Sequence, residues 1–147
     1  MSVDPSSVAC LLLPLDGVSL LVPRTLVAEV VDLDTSLTAG SGLRWGELSW
    51  RGLRIPLIRF EQLLGETPSA PGARARVAIL KGEAPDTAFF GVVTVQVPRL
   101  LRVAEDQIVS LAEPAPGGAA RIQVGEEEAV IPDLPFLEQR LSEHPSA

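Results

Sequence analysis

The chain has 147 residues, of which 46% are hydrophobic and 21% are charged, and its formal net charge at pH 7 is −7. This composition excludes general disorder, and the length fits one domain or two very small ones. The 19 acidic residues outnumber the 12 basic ones, which excludes the strongly basic surface that nucleic-acid binders use.

Short strands dominate the elements predicted along the chain. The 13 prolines and 12 glycines interrupt it at short intervals, which favours a small β-barrel or sandwich. In chain order we predict a turn at 24–26, a strand at 53–58, a short helix at 60–64, a strand buried on both faces at 77–80, strands at 93–97 and 121–124, and a short helix at 136–141. Segments 66–74 and 113–120 are rich in Pro, Gly and Ala and are predicted loops.

Two short patterns occur twice in the same order. Val-Pro-Arg at 22–24 returns at 97–99, and Ile-Pro at 55–56 returns at 131–132, in each case after about 75 residues. The shared order and the nearly equal spacing predict an internal duplication. We expect 8–65 to form the first barrel half and 75–141 to form the second.

Groups suited to catalysis or metal binding are scarce. The one histidine, His144, lies in a C-terminal tail, and the one cysteine, Cys10, lies in an apolar run typical of a core. Neither a nucleophile–histidine pair nor a His/Cys metal cluster can be built without that tail. We therefore expect no enzyme activity, no metal and no cofactor, and interpret Asp32 and Asp34 as solvated residues at a strand end.

The expected location is the cytoplasm. A single cysteine allows no disulfide within the chain, as is typical of a reducing compartment. The apolar run at 8–15 has no basic leader and is too short to span a bilayer. We expect no direct membrane contact.

Residues 44–59 concentrate both tryptophans and four arginines of this acidic chain. Gly52 suits a tight turn at a position with positive φ, and Pro56 favours an edge strand or a bulge because it cannot donate to a ladder. Trp and Arg are the side chains most enriched where binding energy concentrates. Two interpretations stay open: a docking surface for a partner, or tryptophans in the core with the arginines on a solvated face.

The segment 46–57, GELSWRGLRIPL, resembles the CheW-like family of chemosensory coupling proteins, and the runs at 20–31 and 130–134 look like two further segments of that family. The resemblance extends over about 8–141 and implies that residues 1–147 form a single CheW-like domain. It implies an all-β fold of two small pseudo-symmetric five-stranded β-barrels with one or two short helices. The chain departs from the family pattern at Ala28, Ser49, Arg59 and Phe60. It looks like a divergent member, similar to the accessory coupling proteins of systems that control twitching by type IV pili.

The function that this resemblance implies is that of a non-catalytic adaptor. Such proteins join the cytoplasmic tips of chemoreceptors to the regulatory domain of a histidine kinase of the CheA type, and take no small-molecule substrate. By the same resemblance, Arg51 organises its turn or grips a partner's carbonyl or carboxylate, and Glu29 lies near the receptor-facing surface. The partner-binding candidates are Glu29, Leu48, Ser49, Trp50, Arg51, Gly52, Ile55 and Pro56.

Two other functions remain open at this stage. One is a small β-barrel enzyme that uses carboxylates, for example Asp133 with the acidic run 126–128. The other is a free-standing ligand-binding barrel, in which an apolar cavity replaces part of the filled core.

Overall fold

The computed structural model describes residues 7–33, 44–64, 72–82, 88–104, 108–112, 118–124 and 127–132. Within these ranges the chain forms eleven strands and two short 3₁₀ turns. The strands are β1 (Ser7–Pro14), β2 (Ser19–Pro23), β3 (Val27–Asp32), β4 (Arg44–Trp50), β5 (Leu53–Ile58), β6 (Arg76–Lys81), β7 (Phe89–Thr94), β8 (Arg99–Ala104), β9 (Ile108–Ala112), β10 (Gly118–Val124) and β11 (Glu127–Pro132). The 3₁₀ turns are Arg24–Leu26 and Phe60–Leu64.

The strands form two sheets with the same pattern of neighbours. The first sheet has the order β8-β1-β2-β11-β10-β9, and the second has the order β3-β6-β7-β5-β4. One parallel pair lies inside each sheet, β2 with β11 and β5 with β7, and the other pairs are antiparallel. The two sheets are therefore equivalent strand by strand: β3 matches β8, β6 matches β1, β7 matches β2, β5 matches β11 and β4 matches β10. The predicted all-β fold with two pseudo-symmetric subdomains is confirmed, although the first sheet has six strands rather than five.

Each sheet takes strands from both ends of the chain. The hairpin β1–β2 pairs with β8 and β11, whereas β6–β7 pairs with β3 and β5. The sequence ranges 8–65 and 75–141 therefore correspond to repeats that exchange a hairpin, and neither range forms a barrel by itself. Both recurring sequence patterns agree with this exchange. Val-Pro-Arg leads out of the end of β2 at 22–24 and leads from β7 into β8 at 97–99, and Ile-Pro lies on β5 and on β11.

Three apolar clusters fill the space that the sheets enclose. The first-sheet core contains Cys10, Leu12, Leu21, Val103, Ile122 and Ala129. The second-sheet core contains Leu33, Trp50, Ile55, Leu57, Ala75, Val77, Ile79 and Val93. The shared core contains Leu13, Leu15, Leu20, Val22, Ile58, Phe60, Ala78, Leu80, Phe90, Val92 and Val130, which come from both sheets.

The strand β6 shows how the sequence specifies this arrangement. Side chains alternate across a strand, so Val77 and Ile79 enter the second-sheet core while Ala78 and Leu80 enter the shared core. A strand covered on both faces needs a continuous apolar run, and VAIL at 77–80 supplies it. The prediction of a strand buried on both faces is confirmed.

The predictions for single elements had mixed outcomes. The elements expected at 24–26 and 60–64 form, as 3₁₀ turns. The strand predicted at 93–97 is wrong, because β7 ends at Thr94 and the Val95 N–H turns away to donate to the Pro14 carbonyl at 2.9 Å. The edge prediction for β5 also needs correction, since β5 lies between β4 and β7. Only Leu57 and Ile58 pair with β7, however, so Pro56 lies beyond the parallel ladder, where its missing N–H costs no β7 bond. The helix predicted at 136–141 lies outside the described residues.

Substitution of Gly91, at the centre of the second sheet, is expected to lower the stability of the protein. A Cβ at this position would lie 2.6 Å from Val77 Cγ1 and 2.8 Å from Leu57 Cδ2, inside the second-sheet core. Overpacking of this kind costs roughly 1–3 kcal/mol, so Gly91→Ala should lower the free energy of unfolding by about that amount in a denaturant titration. Gly72→Ala is the matched control, because a Cβ there meets nothing within 4 Å. Equal stability of the two variants would show that the neighbouring side chains move aside to accept a Cβ at position 91.

Candidate functional site

The candidate site begins at the hairpin turn between β4 and β5. Trp50 pairs with Leu53, so Arg51 and Gly52 form a two-residue loop. Both have positive φ, +49° at Arg51 and +77° at Gly52, as a type I′ hairpin turn requires. Gly52 adopts this conformation freely, but arginine is rarely found there. Holding a bulky side chain in this region costs about 1–3 kcal/mol of backbone strain.

Three side chains meet beside this turn in an arrangement we name the clasp, formed by Glu29, Trp50 and Arg51. One oxygen of Glu29, Oε1, accepts from Arg51 Nη2 at 2.9 Å and from Trp50 Nε1 at 3.2 Å. The Arg51 guanidinium carbon lies 4.6 Å from the centroid of the Trp50 ring, within the range of a cation–π contact. The carboxylate and the ring together fix the direction of the guanidinium.

The clasp also joins the two edges of the second sheet. Glu29 belongs to β3 and Trp50 to β4, and these strands lie at opposite edges of that sheet. The Trp50 ring is buried, and its centroid lies 4.9 Å from that of Phe89 on β7. The ion pair itself contributes little stability, because the Arg51 and Glu29 side chains are 66% and 40% exposed. Its main effect is to position Arg51 on a rigid aromatic support.

Five of the eight partner-binding candidates lie on β4 and β5 and divide between the two faces of that hairpin. Leu48 and Ile55 are paired neighbours that point inward, and Ile55, at 3% exposed, belongs to the second-sheet core. Ser49 is exposed on the opposite face, and the half-buried Pro56 lies on that face too. The structure therefore brings Glu29, Trp50, Arg51 and Gly52 together, and leaves Ile55 with a packing role rather than a surface for contact.

The arginines of this segment are not a free positive patch. Arg51 pairs with Glu29, and Arg54 Nε lies 2.9 Å from Glu47 Oε2 on the outer face. Arg59 is buried and pairs with Glu61, so it belongs to no solvated face. The side chains of Arg44 and Trp45 lie outside the described part. Sequence reasoning missed the support from Phe89 and the partner of Arg59. Glu61 could have been noticed as an acid two residues beyond an arginine in an apolar run.

Catalytic groups remain scarce in the described ranges. No cluster of three or more His, Cys, Asp or Glu residues that could hold a metal ion occurs there. Cys10 is buried in the first-sheet core, and burial raises the pKa of its thiol. Asp32 is exposed at the end of β3 and pairs with Arg76 at 3.1 Å. Asp34, Asp133 and His144 lie outside the described residues. Among the helices of the described part, none is long and apolar enough to cross a membrane.

The two contacts of Glu29 can be separated by substitution. Glu29→Gln keeps an oxygen for the Trp50 N–H and loses only the exposed ion pair, so its free energy of unfolding should fall by less than about 1 kcal/mol. Glu29→Ala also removes the acceptor of the mostly buried indole, and should cost about 1–3 kcal/mol. Denaturant titration with near-ultraviolet circular dichroism of the tryptophans measures both effects. Equal losses in the two variants would contradict the role given to the indole hydrogen bond.

Fold and site together define a small all-β domain of two equivalent sheets, one of which carries a preorganised arginine turn. The model of the CheW-like domain family matches residues 9–140, so the chain belongs to that family. The crystal structure of the scaffolding protein TtCheW from Thermoanaerobacter tengcongensis is similar, with a TM-score of 0.73 and 17% sequence identity. That match covers 91% of this chain and 89% of TtCheW. No curated protein sequence shows significant similarity to the chain.

Proposed function

We propose that this protein is a non-catalytic cytoplasmic adaptor that links the cytoplasmic tips of chemoreceptors to the regulatory domain of a CheA-type histidine kinase. Membership of the CheW-like family supports a scaffolding role in chemosensory signalling. The observation that carries the proposal is the Arg51 turn, in which a left-handed arginine is held by Glu29 and Trp50 at the surface of the second sheet.

The clasp prepares Arg51 for binding. An arginine carries five N–H donors, and among the described residues Glu29 engages only Nη2. The remaining donors suit a carbonyl or carboxylate of a partner. Because the guanidinium is already fixed on Trp50, binding would cost less side-chain entropy than for a free arginine. Leu53, which follows the turn and is 46% exposed, supplies apolar surface beside it.

An adaptor of this kind works through stable geometry. A rigid bridge changes the balance between kinase-on and kinase-off assemblies only by binding one assembly more tightly than the other. We assign the role of partner contact to Arg51 and Ser49, and that of support to Glu29, Trp50 and Gly52. Control of twitching by type IV pili is the process we propose for the pathway, on the basis of the departures at Ala28, Ser49 and Arg59.

The alternative of an enzyme that uses carboxylates gains no support from the described residues. Glu128, which belongs to the acidic run considered for it, is exposed on β11. A reconstitution tests the adaptor. Receptor cytoplasmic tips and the CheA-type kinase of the same cell are sedimented together with and without this protein. We expect the kinase to sediment with the receptor only when the protein is present. Equal sedimentation without it, or its absence from the pellet, would contradict the proposal.

A further inference from the structure

A buried ion pair follows β5 at the place where the two sheets meet. Arg59 is 2% exposed and Glu61 is 0% exposed, and Arg59 Nη2 lies 3.5 Å from Glu61 Oε2. Both flank Phe60, a fully buried member of the shared core. Burying two charges costs several kcal/mol per ion, and a contact as long as 3.5 Å recovers only part of that cost. The second oxygen of Glu61, Oε1, accepts no hydrogen bond within the described part of the chain.

The same carboxylate holds a turn of the other sheet. Glu61 Oε2 accepts the backbone N–H of Asp16 at 2.9 Å, and Asp16 lies in the turn between β1 and β2 of the first sheet. A second bond joins the same region to the second sheet, from the Val95 N–H to the Pro14 carbonyl at 2.9 Å. Between these bonds, Leu15 enters the shared core. The β1–β2 turn is therefore seated on the second sheet by two directional bonds and one apolar anchor.

We propose that the Arg59–Glu61 pair is an orientation lock between the two sheets. Glu61 anchors the β1–β2 turn, and Arg59 supplies the counter-charge for the buried carboxylate. The hydrophobic effect in the shared core favours contact between the sheets. Because it is non-directional, it permits small rotations of one sheet against the other. A hydrogen bond that one backbone amide donates to a fixed carboxylate is directional and favours one position of the turn. A buried carboxylate whose second oxygen accepts no hydrogen bond in the described part is costly, and we assign its retention to the angle it sets between the sheets rather than to added stability.

Four variants separate orientation from stability. Arg59→Met takes the counter-charge from the buried Glu61 carboxylate, and Glu61→Gln takes one charged contact from the buried Arg59. Each substitution should raise the unfolding equilibrium constant roughly hundredfold or more. The double variant Arg59→Met with Glu61→Leu removes both charges and should recover most of that loss. The double variant Arg59→Met with Glu61→Gln is the matched control, because the glutamine oxygen can still accept from the Asp16 amide.

The decisive readouts are hydrogen exchange at the Asp16 amide and residual dipolar couplings that compare the orientations of the two sheets. In Arg59→Met with Glu61→Leu we expect Asp16 exchange to accelerate about tenfold or more and the angle between the sheets to change. In the glutamine control, both should stay close to the wild-type values. Wild-type exchange and an unchanged angle in the leucine variant would overturn the lock and leave the pair as a tolerated burial. Neither readout requires a binding partner, so failure here is distinct from failure of the adaptor function.

Discussion

Phe90→Ala is expected to lower the free energy of unfolding by about 3–5 kcal/mol. Phe90 is fully buried in the shared core, where strands of both sheets contribute neighbours. Removing the ring leaves a cavity between the two sheets, because the core is close-packed and the surrounding side chains relax only partially. A thermal melt should show a fall in Tm on the order of 10 °C.

The neighbouring Phe89 provides a matched control. The same substitution at Phe89 removes a half-buried ring that packs on Trp50 in the second-sheet core, away from the shared core. Phe89→Ala should therefore cost less than half as much as Phe90→Ala, and both sheets should melt in one transition in each case. A larger loss at Phe89, or separate melting of the two sheets in the wild type, would contradict the shared core as the main source of cohesion.

Arg51→Asn is expected to weaken partner binding by about 2 kcal/mol, roughly 30-fold, while the protein stays folded. Asparagine tolerates positive φ and suits the first position of a type I′ turn before glycine. Asparagine relieves part of the backbone strain, and this relief offsets the loss of an exposed ion pair and an exposed cation–π contact, each of about 1 kcal/mol or less. The free energy of unfolding should thus be equal to or slightly above that of the wild type.

Fluorescence anisotropy with labelled kinase regulatory domain and with labelled receptor tip measures the affinity, and urea titration measures the stability. Arg102→Asn is the control for charge, because Arg102 is exposed on β8 of the first sheet and donates only to the Ser7 hydroxyl in the contacts described. It should leave the affinity unchanged. An unfolded Arg51→Asn protein would show that Arg51 is architectural. A stable variant with wild-type affinity for both partners would remove Arg51 from the binding surface.

Sequence patterns predicted the parts of this fold that depend on local chemistry. The run at 77–80 is apolar without alternation, and its side chains fill two cores. Glycine at 52 indicated a turn with positive φ, and the turn has it at both central positions. Repeated Val-Pro-Arg and Ile-Pro motifs predicted a duplication, and they lie at equivalent connections and strands. For the strand and the turn, the signal lies within a few residues of the structure it specifies.

Contacts between distant segments were beyond the reach of the sequence. The hairpin exchange depends on which edge each hairpin pairs with, and apolar patterns are alike in both halves. Glu29 and Arg51 were both candidates, yet nothing in their spacing showed that one carboxylate oxygen serves both Arg51 and Trp50. The sequence interpretation counted Arg59 among the four arginines of segment 44–59. Its burial and its pairing with Glu61 depend on the shared core around Phe60, which the sequence pattern did not show.

The central claim, that this chain acts by binding partners through a preorganised surface, is tested most directly by titration calorimetry. The intact protein is titrated into the purified regulatory domain of the CheA-type kinase, and separately into receptor tips. We predict saturable heats with a single class of site for each partner, and weaker binding for Arg51→Asn than for Arg102→Asn. Absence of binding heat with both partners would contradict the account.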